Sequence, residues 1–173
     1  KGEYLNFLNA GDLFYGQHVL KKVAAEIHPK FAVAYGDCFI QGARLQSGLQ
    51  KSGSLEDLLH KMPFCHQSAF YRREVLQENL YDTSYKLAAD YELALRLYKK
   101  GHEFKQLEDL PICFYEARGA SDTKRSEVIV EYERARRAHN LDSYKTKLLT
   151  LYQSLRASSS DNLYKFGQSH EEK

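Results

Sequence analysis

Short apolar runs of β character alternate with segments of helical periodicity along most of this chain, and that alternation constrains the fold more than any other feature. Tyr4-Leu5-Asn6-Phe7-Leu8 reads as a buried strand that runs into the turn Asn9-Ala10-Gly11-Asp12. From Gly16 to about Ile27 the apolar positions Val19, Leu20, Val23, Ala24 and Ile27 share one helix face, and His28-Pro29 ends the segment. Phe31–Ile40 is a second strand, interrupted at Gly36-Asp37. Strands alternating with helices predict an α/β layer architecture. In such sheets ligands sit beyond the carboxyl ends of the strands, and Asp12 and Asp37 are expected at or near such ends.

The remaining segments extend the pattern. Gly42–Gly53 reads as a hairpin or mobile loop, and Ser54 caps a short helix that stops near Met62-Pro63. Phe64–Tyr71 is expected as a strand carrying Cys65-His66-Gln67, followed by one or two helical turns over Arg73–Leu80. Asp90–Lys100 is the clearest helix, ended by Gly101. Phe104–Tyr115 holds one or two strands around Pro111, and a long charged helix is expected from about Thr123 to Leu155, with a break near Asn140. The organisation read from this is residues 1–121 as one α/β unit, 122–156 as a helical extension and 157–173 as a polar, disordered tail.

Composition narrows the classes. Apolar residues are 43% of 173, which fits a folded core, and a formal charge of +2 gives no reason to expect nucleic acid as a partner. No apolar run approaches the roughly 18 residues of a membrane span. The three cysteines, Cys38, Cys65 and Cys113, are far apart in sequence and odd in number, which suggests neither a disulfide framework nor a zinc knuckle. A cytoplasmic setting is expected. The helix from Thr123 carries Lys124, Arg125, Arg134, Arg136 and Arg137 among glutamates, which reads as a solvated face or as peripheral contact with a membrane surface.

Four segments could carry chemistry. Asp12 at a strand end could hold a hard divalent cation, with Gly11 letting the backbone approach a diphosphate, or the tetrapeptide could be an ordinary Asx turn. Asp90 at a helix start could serve as a general base or as an N-cap, and Glu92, two positions on, points elsewhere. His66 could line a substrate site or be a hydrogen-bonded structural residue. Arg118 in Arg118-Gly119-Ala120-Ser121 could embrace a phosphate or sit in a simple connection.

In order and spacing these segments resemble the family-2 glycosyltransferases. GEYLNFLNAGD resembles the segment ending in that family's metal-binding aspartate, and VAYGDCFI the strand that follows in polysaccharide-type members. MPFCHQSAFYRREVL is similar to its His-Gln strand, YKLAADYELALRLYKKGHEF to the segment with the catalytic base, and EARGAS to its closing Gly-Ser loop. Two departures stand out: Gly11 precedes Asp12 where the family usually has a second acid, and Ala89 precedes Asp90 where it usually has Glu.

The resemblance implies the acceptor half of a GT-A, Rossmann-like domain that moves a sugar, with inversion, from a nucleotide-sugar donor to a saccharide or lipid-linked acceptor. It implies Asp90 as catalytic base, Asp12 as ligand to Mg²⁺ or Mn²⁺, Asn9 and Gly11 beside the donor diphosphate, and His66, Gln67 and Arg118 as substrate-binding residues. The nucleotide-binding first strands of the family have no counterpart here, so a truncated domain is expected. A non-catalytic carbohydrate-binding or assembly module of the same fold, and a nucleotidyltransferase, are the competing readings.

Overall fold

A computed structural model describes residues 2–42, 47–116, 124–141, 151–152 and 154–155. Six strands form one mixed sheet: β1 (Tyr4–Asn6), β2 (Leu13–Phe14), β3 (Val33–Gln41), β4 (Gly48–Gln50), β5 (Ala69–Arg72) and β6 (Phe104–Glu116). The order is β1-β5-β3-β6-β2, with β4 paired to the far half of β3. Only β3 and β6 run parallel; the other pairs are antiparallel. Four helices complete the described fold: α1 (Val19–Glu26), α2 (Arg73–Glu78), α3 (Ala89–Lys99) and α4 (Arg125–Ala138).

Strand alternation builds two layers against the sheet. Ala34 and Phe70 pack with Leu107, Leu110 and Ile112 against Val19 and Val23 of α1. Their neighbours Val33, Tyr35, Ala69 and Tyr71 face the other way, into the larger core made with α2, α3 and α4. α3 is the keystone of that core: Tyr91, Leu93, Ala94, Leu95 and Leu97 are all fully enclosed. Each such Leu contributes roughly 1.5–3 kcal/mol relative to exposure.

An irregular stretch of pairing beside Gly36 positions the functional face. The β3–β6 register shifts between Tyr35 and Asp37 and again between Asp37 and Cys38, with the surplus residues, 107–110 and Ile112, on β6. Regular alternation is lost across such an irregularity. Beyond it Cys38 and Ile40 line the cleft on the side that Tyr35 faces. A Cβ on Gly36 would lie 2.7 Å from the Leu110 carbonyl oxygen, so only glycine permits this strand contact. Asp37 consequently lies within β3 rather than at its end, and is buried.

Several local expectations shift for physical reasons. Leu55–Leu59 is a 3-10 turn instead of an α-helix, because the Gly53 N–H donating to the Pro63 carbonyl ties the segment's ends together. His66–Ser68 is likewise a 3-10 turn and not part of a strand; the Ser68 N–H donates to the Cys65 carbonyl, and β5 starts only at Ala69. Residues around Pro111 belong to one long strand, β6, and α4 ends at Ala138, before Asn140 at φ 58°. Gly42–Gly53 does form a hairpin, β3–β4, with residues 43–46 outside the described part. Among the described residues no helix is long and apolar enough to cross a membrane.

Candidate active-site cleft

A cleft of about 820 Å³ opens on the side of the sheet covered by α3 and α4. Its walls come from segments far apart in sequence: Phe7 and Asn9 after β1, Cys38 and Ile40 of β3, Lys51–Gly53 after β4, Cys65–Gln67 before β5, Tyr81, and Ala89-Asp90 at the start of α3. Asn9, His66, Gln67 and Asp90, four of the residues singled out in the sequence, thus meet in one place. Arg118 lies outside the described residues.

Asp90 occupies the wall formed by α3. It is the second residue of the helix, with Ala88 at the N-cap position, so the capping role considered for it is not the one it has. Its Oδ1 accepts from the Tyr91 N–H at 2.8 Å. Burial pushes the Asp90 carboxyl above its ordinary value, while the charge of nearby His66 and the backbone N–H groups pull the other way. Enclosure therefore outweighs these opposing interactions. Burial and, next, the Asp90 charge push the Tyr81 hydroxyl up to about 12. The same two causes raise Tyr132 well above its usual range. The enclosed Tyr71 is raised too, by burial, then Tyr81, then Asp90, and its hydroxyl has no hydrogen-bond partner among the described residues. A carboxyl whose pKa burial raises, beside several phenols in a cleft, is the kind of perturbed group that gathers at functional sites.

The loop that delivers Asp90 is fastened by α4. Glu131 accepts the N–H groups of Lys86, Leu87 and Ala88, each at 2.8 Å, and so satisfies orphan donors ahead of α3 from a different element. Burial raises the Glu131 carboxyl, but these three N–H groups and Arg134 outweigh it and hold the acid below its usual range. Arg134 lies 4.1 Å over the Tyr85 ring, and Tyr132 stacks on Tyr91 at 4.1 Å between centroids. Arg136, 1% exposed, donates to the His60 carbonyl at 2.7 Å. The basic helix expected to present a solvated face thus inserts several of its charged residues into the support of the cleft. Glu92 does turn away from Asp90, but it is 5% exposed and bound to Arg96 at 3.0 Å and His139 at 3.1 Å.

The opposite wall is more open. Gly11 takes φ +97°, a conformation that favours glycine, and turns the chain so that Asp12 faces back towards the 3-10 turn. Asp12 Oδ2 accepts from Gln67 Nε2 at 3.1 Å and from the Asn9 N–H at 3.3 Å. Its Oδ1 accepts from the Glu116 N–H at 3.4 Å. Asn9 Nδ2 lies 3.3 Å from His66 Nε2. Asn9, Asp12, His66 and Gln67 are therefore one hydrogen-bonded group, with Asp12 just behind the cleft lining. Among the described residues no three His, Cys, Asp or Glu side chains come together as a metal site. Asp12 offers one carboxylate with lone pairs left over, and the remaining ligands of any cation would have to come from a bound anion.

At the polar end of the cleft stands Asp37, which the sequence marked as a strand-end residue, with Lys51 and Ser52, which it did not mark. Asp37 Oδ1 accepts from the Ser52 N–H at 2.9 Å, and its Oδ2 lies 3.0 Å from Lys51 Nζ, which also reaches Asp109 at 2.6 Å. Tyr81, Tyr132 and Phe7 were missed as well. Phe7 and Tyr81 meet edge to face at 6.1 Å. Only the apolar run containing Phe7 carried a signal, and it read as plain strand.

With this geometry in hand, comparison with known proteins is informative. Over 100 residues the chain is 33% identical to proteins named PGL/p-HBAD biosynthesis glycosyltransferase from Mycobacterium bovis and Mycobacterium tuberculosis. The match takes in 56% of this chain and 38% of theirs, so the chain spans well under half the length of those relatives. No protein-family model matches. The crystal structure of S. aureus TarS 1–349 superposes with a TM-score of 0.54, covering 90% of this chain and 46% of that one at 18% identity, which is a likeness of fold. The fold is that of a partial GT-A, Rossmann-like domain. The sequence match is thus to proteins named as glycosyltransferases, and the structural match is one of fold.

Proposed function

We propose that this chain forms the acceptor side of a family-2-type, inverting glycosyltransferase that uses a nucleotide-sugar donor in cell-surface glycan or glycolipid assembly. The observation that carries the reading is Asp90: a carboxyl of raised pKa on the wall of a large cleft, facing the Asn9–Asp12–His66–Gln67 group contributed by other segments. In this reading Asp90 accepts the proton of the acceptor hydroxyl as its oxygen attacks the donor's anomeric carbon, and the bond to the nucleoside diphosphate breaks with inversion. Asp12 gives one carboxylate to a Mg²⁺ or Mn²⁺ ion, which when bound neutralises charge on the departing diphosphate. Asn9 and Gly11 shape the turn beside that diphosphate, Gln67 donates to Asp12 and His66 meets Asn9. Phe7 and Tyr81 offer an apolar edge for a saccharide or lipid-linked acceptor. Action on the cytoplasmic side of a membrane, in peripheral contact with it, belongs to the same proposal.

The test is transfer from a panel of nucleotide sugars to saccharide and lipid-linked acceptors by the protein as its gene encodes it. Transfer that needs Asp90 and a divalent cation is the expected result. Full turnover by an Asp90→Asn variant, or specific glycan binding with no transfer from any donor, would overturn the reading, the second in favour of a binding module.

A further inference from the structure

The floor of the cleft holds two thiols that the sequence kept apart. Cys38 lies on β3 just beyond the irregular pairing beside Gly36, and Cys65 lies immediately before the 3-10 turn that carries His66. They are 27 positions apart, yet the sulfurs are 2.8 Å from each other. A disulfide bond is about 2.05 Å long, so a movement of roughly 0.8 Å separates the pair from a covalent link. Both residues line the cleft, and Cys65 is only half-buried, so a small oxidant can reach its sulfur from solvent while Cys38 lies buried behind it. The third thiol differs. Cys113 is Cys38's neighbour in register on β6, but it is fully buried, and burial, then Cys38 and Asp12, raise its pKa far above the usual thiol range. Its thiolate, the reactive form, is suppressed.

We propose that Cys38 and Cys65 are an oxidation site that closes to an intramolecular disulfide on exposure to hydroperoxides. The Cys65 sulfur, as thiolate, attacks a peroxide oxygen; the O–O bond breaks, Cys65 becomes a sulfenic acid and the peroxide leaves as water or an alcohol. Cys38 then attacks the Cys65 sulfur and expels hydroxide, which leaves as water after taking up the Cys38 proton. Two thiols lose two electrons in total and the peroxide gains them. The product ties β3 to the turn that positions His66 and Gln67, so the redox state of the pair is built into the floor of the cleft. This assignment rests on geometry alone and stands whether or not the cleft transfers sugars.

Peptide mapping of the native chain tests it. The protein is treated with hydrogen peroxide, unfolded, alkylated with a maleimide and digested without reduction. Two of the three thiols should be lost, in one linked peptide pair containing Cys38 and Cys65, with Cys113 alkylated and the link reversed by dithiothreitol. A Cys38–Cys113 link, a Cys65 that stops at the sulfinic acid without any link, or three fully alkylated cysteines would each overturn the proposal.

Discussion

The two walls of the cleft are built in opposite ways. On the α3 wall, Asp90 sits at the start of a largely buried helix whose approach loop is pinned by three N–H bonds to Glu131, with a stacked tyrosine pair and the buried Arg136 nearby. On the other, Asp12 is held by one side-chain amide and two long backbone contacts on a glycine-dependent turn. The difference teaches that position is specified in advance where the proposed proton transfer occurs. The site proposed for the diphosphate is held more loosely, and an incoming anion and cation would complete it. Preorganisation matters most where distances in the transition state are shortest.

Four substitutions would sharpen or break that contrast. The largest effect is expected from Asp90→Asn, which keeps shape and helix start but removes the base: turnover should fall by about 10²–10⁴ with the unfolding free energy nearly unchanged. Because burial raises the Asp90 carboxyl, wild-type turnover should decline with falling pH from a higher pH than an ordinary carboxylate would give, and a pH–rate profile checks this. Next, Glu92→Ala would strip the partner from Arg96 and His139 in a buried network and should cost about 3 kcal/mol in urea unfolding, more than its position away from the cleft suggests.

Glu131→Ala should cost less, about 1 kcal/mol, in line with the loss of a helix cap. Its pH signature is specific. The folded-state pKa of Glu131 is depressed, so its stabilisation is present above the unfolded value of about 4.3 and is lost as pH falls through the folded value. The gap between wild type and Glu131→Ala should therefore narrow as acid is added, and an unchanged gap would mean that the three N–H bonds are not what the residue provides. The smallest stability effect, within about 0.5 kcal/mol, is expected from Asp12→Ala on the exposed turn. Calorimetry with Mn²⁺ and a nucleoside diphosphate should nevertheless show cation-dependent binding by wild type and none by the variant. Equal binding by both would remove Asp12 from the donor side.

Much of the scaffold was legible because period and punctuation are local properties. Val19 and Val23 of α1, the β3 run and the α3 helix ended by Gly101 lie where the sequence pattern puts them, whereas Leu20 and Ala24, read on the same α1 face, are exposed. Asn9, His66, Gln67 and Asp90 were picked out by residue type and order, and the fold gathers them into one cleft. The His66–Gln67 turn was misread as strand because apolar neighbours on both sides mask a single turn closed by the Ser68 N–H and the Cys65 carbonyl. The solvated-face reading holds for Lys124, Arg134 and Arg137 but not for Arg136, because composition cannot say which charge points inwards.

What the sequence determined by itself was therefore the alternation of strands and helices, the breaks between them and a short list of reactive residues, since each depends on neighbours a few positions away. Only the tertiary structure decided the rest. An irregular stretch of β3–β6 pairing beside Gly36, where the Leu110 carbonyl comes too close for any Cβ, accompanies the turn of Cys38 and Ile40 into the cleft. A glutamate 41 positions after Asp90 fixes the loop in front of it (131 less 90). Burial, which only packing creates, raises the carboxyl on which the proposed chemistry depends. Register, burial and contact at a distance are properties of the packed chain, and no local pattern encodes them.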